Sequence, residues 1–164
     1  MSARPVRMRI APVERLQLRQ LVQDLCELIG PGIDPEDPAV ARLTPNPYPD
    51  DSDAARDFRS GTRGDLLARR AADAGIVSAA VAGVADEPDS WAEETALVEE
   101  VLEIPAAEVD AWMRTLTAIR LVIATRLGIV DEEDHDPDDA RFGVYDWLGY
   151  RLEMLIQAAE DQAG

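Results

Sequence analysis

The chain contains no lysine, one cysteine and one histidine. A lone Cys26 cannot close a disulfide within the chain, so no covalent framework holds the fold. His135 is the sole imidazole and stands among carboxylates, and neither Cys26 nor any serine lies in a nucleophile motif. A hydrolytic triad therefore has no support, and no glycine-rich phosphate loop occurs. Aromatic residues make up only 5% of the chain while Ala, Leu, Val, Arg and Glu abound, a composition suited to helix-on-helix packing rather than a β-sandwich. Long hydrophobic runs are missing too. The longest, Ala74 to Ala85, is interrupted by Gly75, Ser78 and Gly83 and is too short to span a bilayer. With no apolar leader at the start, the expectation is a cytoplasmic protein without membrane contact.

Acid is abundant. Sixteen basic residues, all arginine, face 33 acidic ones, for a net charge of −17 over 164 residues. A surface this acidic repels phosphate backbones, so direct nucleic-acid binding is not expected. Arginine without lysine points to GC-rich coding rather than to a mechanism. The charge is also unevenly spread: residues 86–110 hold ten acids and no base, whereas residues 1–20 hold five arginines against Glu14. Either the acidic part docks a basic partner, or the arginines pair with acids inside the fold.

The periodicity predicts a mostly α, single-domain helical bundle of about five helices covering residues 1–164, with room for one small two-stranded sheet from residues 6–10 and 101–104. Pro12 suits the first turn of a helix ending at Gly30, and residues 31–50 read as an extended loop with one short turn, Pro38 to Leu43. Ser52 is expected to cap a helix through Phe58, Gly61 and Gly64 to break it, and Asp65 to Val84 to form the next. Ser90 is expected to cap a short helix to about Glu100. Pro105 starts a helix to Leu127 whose core face is Val109, Trp112, Leu116, Ile119, Ile123 and Leu127, with Gly128 ending it. The last helix, Asp138 to about Gln162, has a main stripe through Tyr145, Leu148, Leu152 and Leu155. A second apolar face of Val144, Trp147, Tyr150 and Met154 places it at the centre of the bundle or at a subunit interface.

Three constellations invite chemistry. The acidic run 131–139 alternates like a calcium loop but carries Asp139 and Tyr145 where glycine and a bidentate glutamate are required, so a solvated loop is the better reading. An all-α, magnesium-dependent nucleotide pyrophosphohydrolase would pair Glu93-Glu94 or Glu99-Glu100 with a helical Glu-x-x-Asp, which does not follow. Residues 67–84 have the spacing of a helix-turn-helix, yet VSAAVAGV offers almost nothing to a base edge and no cation to a phosphate, which favours one Ala-rich buried helix. No catalytic residue, metal site or cofactor is expected. Cys26, near the edge of the first helix's apolar stripe, is a half-buried thiol by default and a candidate redox thiol otherwise.

Residues 112–128, WMRTLTAIRLVIATRLG, followed by VYDWLGY at 144–150, resemble the actinobacterial oxidative-stress regulator AosR family, as does the order of segments over most of the chain. The positions that carry the resemblance are Trp112, Leu116, Arg120, Leu121, Arg126, Leu127, Gly128, Tyr145, Trp147 and Leu148. The resemblance implies a non-enzymatic regulator acting through a protein partner, a stress sigma factor or RNA polymerase, with the Clp proteolysis machinery as the alternative. A disulfide switch within the chain is impossible with Cys26 alone. Read from the residues, most of these positions are core, the two arginines seek buried or half-buried carboxylates, and Trp147, Tyr150, Met154 and Val144 are the candidate interface of a homodimer.

Overall fold

The computed structural model describes residues 3–45, 50–82, 96–129, 136 and 138–163. In chain order these form β1 (Val6–Ile10), α1 (Pro12–Ile29), α2 (Pro38–Leu43), α3 (Ser52–Val81), β2 (Glu100–Ile104), α4 (Val109–Leu127) and α5 (Gly143–Ala163). Single 3-10 turns, Ala106–Glu108 and Ala140–Phe142, lead into α4 and α5. The chain is thus a helical bundle with one small antiparallel sheet, the expected class.

In the sheet, Val6 faces Ile104, Met8 faces Leu102 and Ile10 faces Glu100. Val6, Met8 and Ile10 are buried while Arg7 and Arg9 are exposed, so the alternation in VRMRI does what its period demands. Glu100 belongs to β2 and does not end a helix; Ser90, expected to cap that helix, lies outside the described residues.

The helices pack in a chain of contacts: α1 on α3, α3 on α4, and α4 on both α2 and α5, while α5 also touches β1. The core runs through Leu18, Val22 and Leu25 of α1, Ala74, Val77 and Val81 of α3, Trp112, Leu116 and Ile119 of α4, and Leu148 and Leu155 of α5. Each fully buried aliphatic side chain contributes about 1.5–3 kcal/mol over its exposed state. The apolar face expected on α4 is therefore the centre of the molecule at its N-terminal half, with Ile123 and Leu127 half-buried.

One expectation fails in α3. Instead of a helix to Phe58, a break at Gly61 and Gly64 and a second helix from Asp65, a single 30-residue helix runs from Ser52 to Val81. Its cap is Asp51, whose carboxylate accepts from the Asp53 and Ala54 amides at 3.1 and 3.0 Å. A glycine inside a helix costs only about 1 kcal/mol against alanine. Bonds strung along α3 outweigh that: Arg63 to the Pro35 carbonyl, Arg70 to the Leu43 carbonyl and Asp73 to Arg114. The same continuity removes the turn of a helix-turn-helix, because Gly75 sits within the helix and Ala74, Val77 and Val81 are core. α4 stops where Gly128 takes φ +73°, letting the Ile129 amide reach the Ala124 carbonyl at 2.8 Å. Among the described residues no helix is long and apolar enough to cross a membrane.

Candidate functional site

The most elaborate polar arrangement joins the two ends of the chain. Glu14 opens α1, where its Oε1 accepts from the Ala11 amide at 3.1 Å and completes the first turn. Its Oε2 accepts from Trp147 Nε1 and from Arg151 Nη2, each at 2.7 Å, and Arg151 Nη1 donates to the Arg9 carbonyl at 2.5 Å. One guanidinium thus ties β1, α1 and α5. Arg151 is 7% exposed, a charge buried only because it is paired. Burial pushes the Glu14 carboxyl up, but the hydrogen bonds from Arg151, the Ala11 amide and Trp147 outweigh it and hold the group below the usual carboxylate range. Glu14 is accordingly a fixed anion rather than a base.

This node was not visible as a site in the sequence, yet a signal existed. Arg151 falls three residues after Leu148 and four before Leu155, inside the buried stripe of α5, where a cation demands a partner. Trp147 is half-buried, its indole N–H spent on Glu14. Val144 is half-buried as well; Tyr150 and Met154, at 61% and 40%, are the exposed members of the candidate interface.

The remaining motif positions lock α4 to its neighbours. Trp112 and Leu116 are fully buried, Leu121 is half-buried and Leu148 is core. Arg120 lays its guanidinium 4.0 Å from the centre of the buried Tyr145 ring and donates to the Tyr145 carbonyl. Gly149 makes that possible, since a Cβ there would lie 3.0 Å from the Arg120 guanidinium. Arg126 forms two bonds, 2.8 and 2.7 Å, to Asp37, which also caps α2 by accepting from the Ala39 amide at 2.8 Å. That pairing, led by the Arg126 hydrogen bonds, holds the Asp37 carboxyl below its usual range.

The whole pattern, from β1 through α5, is covered by one comparison: a family model described as a domain of unknown function, DUF2017, matches residues 1–159. The chain is a member of the DUF2017 family. No curated protein and no solved structure matches it. In three dimensions Arg120, Arg126 and Trp147 of this DUF2017 chain act mainly as inter-helix fastenings.

What the fastenings leave open lies elsewhere. β2 pairs with β1 alone among the described residues. Along and just before it, Leu97, Val98 and Val101 are 73%, 57% and 54% exposed. Glu99, Glu100 and Glu103 are exposed beside them, with Glu103 3.4 Å from Arg7. Solvent-facing apolar residues on an open strand edge are the kind of surface that proteins either cover or use.

Cys26 is half-buried on α1, and desolvation raises its thiol above the ordinary value, which disfavours the reactive thiolate. Of the acidic run, Asp131 to His135 and Pro137 lie outside the described residues. Asp136 accepts from the Asp138 amide and Asp139 from the Arg141 amide, so these two acids build the turn into α5. Among the described residues no three His, Cys, Asp or Glu side chains converge to hold a metal ion. Glu93 and Glu94 lie outside them.

Proposed function

We propose that this DUF2017 protein is a non-enzymatic regulator that works by docking a protein partner on the open edge of β2. The observation that supports the reading is the strip from Leu97 to Glu103, apolar side chains set in exposed carboxylates beside a strand edge with no pairing partner among the described residues. An extended segment of a partner gains affinity there from main-chain hydrogen bonds, and specificity from basic side chains that meet Glu99, Glu100 and Glu103. The resemblance to the AosR family supplies the partner to test first, a stress sigma factor or RNA polymerase, in a cytoplasmic, stress-linked transcriptional role. Binding of purified holoenzyme to an immobilised chain, compared with a Leu97→Glu/Val101→Glu variant, tests it. The variant is expected to bind at least about tenfold more weakly, and equal binding by both chains would remove the edge from the mechanism. Capture of Clp components in place of polymerase moves the same surface to regulated proteolysis.

Tyr150 and Met154, exposed on α5, favour a second contact, a homodimer through that helix. Tyr150→Glu is the informative variant, because Trp147→Glu would set a second carboxylate against Glu14. If α5 forms a dimer, Tyr150→Glu halves the mass read by light scattering; an unchanged mass excludes the interface.

A further inference from the structure

A cavity of about 710 Å³ opens between α3 and α4 with Leu25 of α1 at its floor, within the usual size of small-molecule sites. Its walls are mainly apolar, from Leu66, Met113 and Ala118. Three arginines also reach it, which is unexpected in a chain with twice as many acids as bases.

Only one of the three is neutralised. Arg114 forms bonds of 2.8 and 3.1 Å to the two oxygens of Asp73, consuming that carboxylate. Arg70 is half-buried and gives its Nε to the Leu43 carbonyl, so Asp73 attracts it only from a distance. Arg69 is exposed and has no hydrogen-bond or ion-pair partner among the described residues. In the floor, the Thr115 hydroxyl is sealed from solvent without a hydrogen-bond partner. Helical threonines ordinarily return such a hydroxyl to the preceding turn, as Thr117 does to the Met113 carbonyl at 2.7 Å. The cavity therefore combines an apolar body with a net positive rim, over a buried hydroxyl that has no partner among the described residues. Desolvation draws the Arg70 guanidinium down from its ordinary value, so an arriving anion relieves a cost the protein already bears.

We propose that this cavity binds a small amphipathic anion, a carboxylate or phosphate head held by Arg69 and Arg70 with an apolar body on Leu66 and Met113. Planar guanidinium groups bind both oxyanions in bidentate fashion, so the head is defined by charge and shape. The site stands independently of the β2 edge.

Titration calorimetry with decanoate, decyl phosphate and decyltrimethylammonium, each below its micellar concentration, tests the site and separates the two heads. One or both anions should bind one per chain, and the cation should not. Arg69→Glu, a change at an exposed side chain, should weaken the anion at least about tenfold with the melting temperature kept. In the methyl spectrum the Met113 resonance should move on binding while that of Met154 stays. Absence of anion binding, equal binding of the cation, or an Arg69→Glu chain that binds as the parent does would each overturn the proposal.

Discussion

The α4–α5 pair and the β2 edge are opposites. On α4 and α5 almost every recognisable residue is spent internally: Trp112 in the core, Arg120 on Tyr145, Arg126 on Asp37, Trp147 on Glu14. On and before β2, Leu97, Val98 and Val101 face solvent among glutamates that, Glu103 apart, hold no ion pair with an arginine of the described structure. In the α4–α5 pair the conspicuous side chains keep the bundle together, whereas the strip along β2 leaves its apolar side chains in solvent.

Substitutions can break that contrast in order of effect. Trp112→Ala empties the middle of the core and should cost about 3–5 kcal/mol in urea unfolding, while leaving the β2 strip in place. Glu14→Ala strands the buried Arg151 and removes a helix-cap contact, which should cost about 3 kcal/mol by the same measurement. Acid should act in the same direction. Glu14 and Asp37 both titrate below their ordinary values of 4.5 and 3.8, so their stabilisation is complete above those values. It is lost as pH falls through the lowered, folded-state values. Urea midpoints should therefore hold from pH 7 to about 5 and fall steeply below 4, and Glu14→Gln should flatten that fall. Gly75→Ala should stabilise by about 0.5–1 kcal/mol, because a Cβ there meets nothing and the backbone is already helical. Leu97→Glu/Val101→Glu should change stability by less than about 0.5 kcal/mol while removing partner binding. A large loss of stability would show the strip to be covered by the chain itself.

Much of the fold was legible because its signals are local. VRMRI alternates in sequence and in burial, and it pairs with the short β-capable stretch expected to meet it. The α4 stripe and Gly128 mark their helix on both counts, by period and by stop. Gly61 and Gly64 misled because helix propensity is a small term, overridden by the bonds that Arg63 and Arg70 donate to distant carbonyls and that Asp73 accepts from Arg114. The Glu14–Trp147–Arg151 node was hidden by separation, since its members lie 133 and 137 residues apart and nothing local joins them. Trp147 illustrates the same limit. Its place on a second apolar face suggested an interface, but α1 and its Glu14 meet half of that face, leaving Tyr150 and Met154 outside. The arginine-lined cavity is likewise a product of long-range packing, which sets Arg69, Arg70 and Asp73 of α3 against Arg114 of α4.

Docking on the β2 edge is tested by placing a photo-crosslinking residue at Val101 and, as control, at the exposed Asp110 of α4, in the native host. A covalent adduct is expected at position 101, with a polymerase or sigma subunit as the attached chain, and none at position 110. Adducts equal at both positions, or absent from position 101, would contradict it.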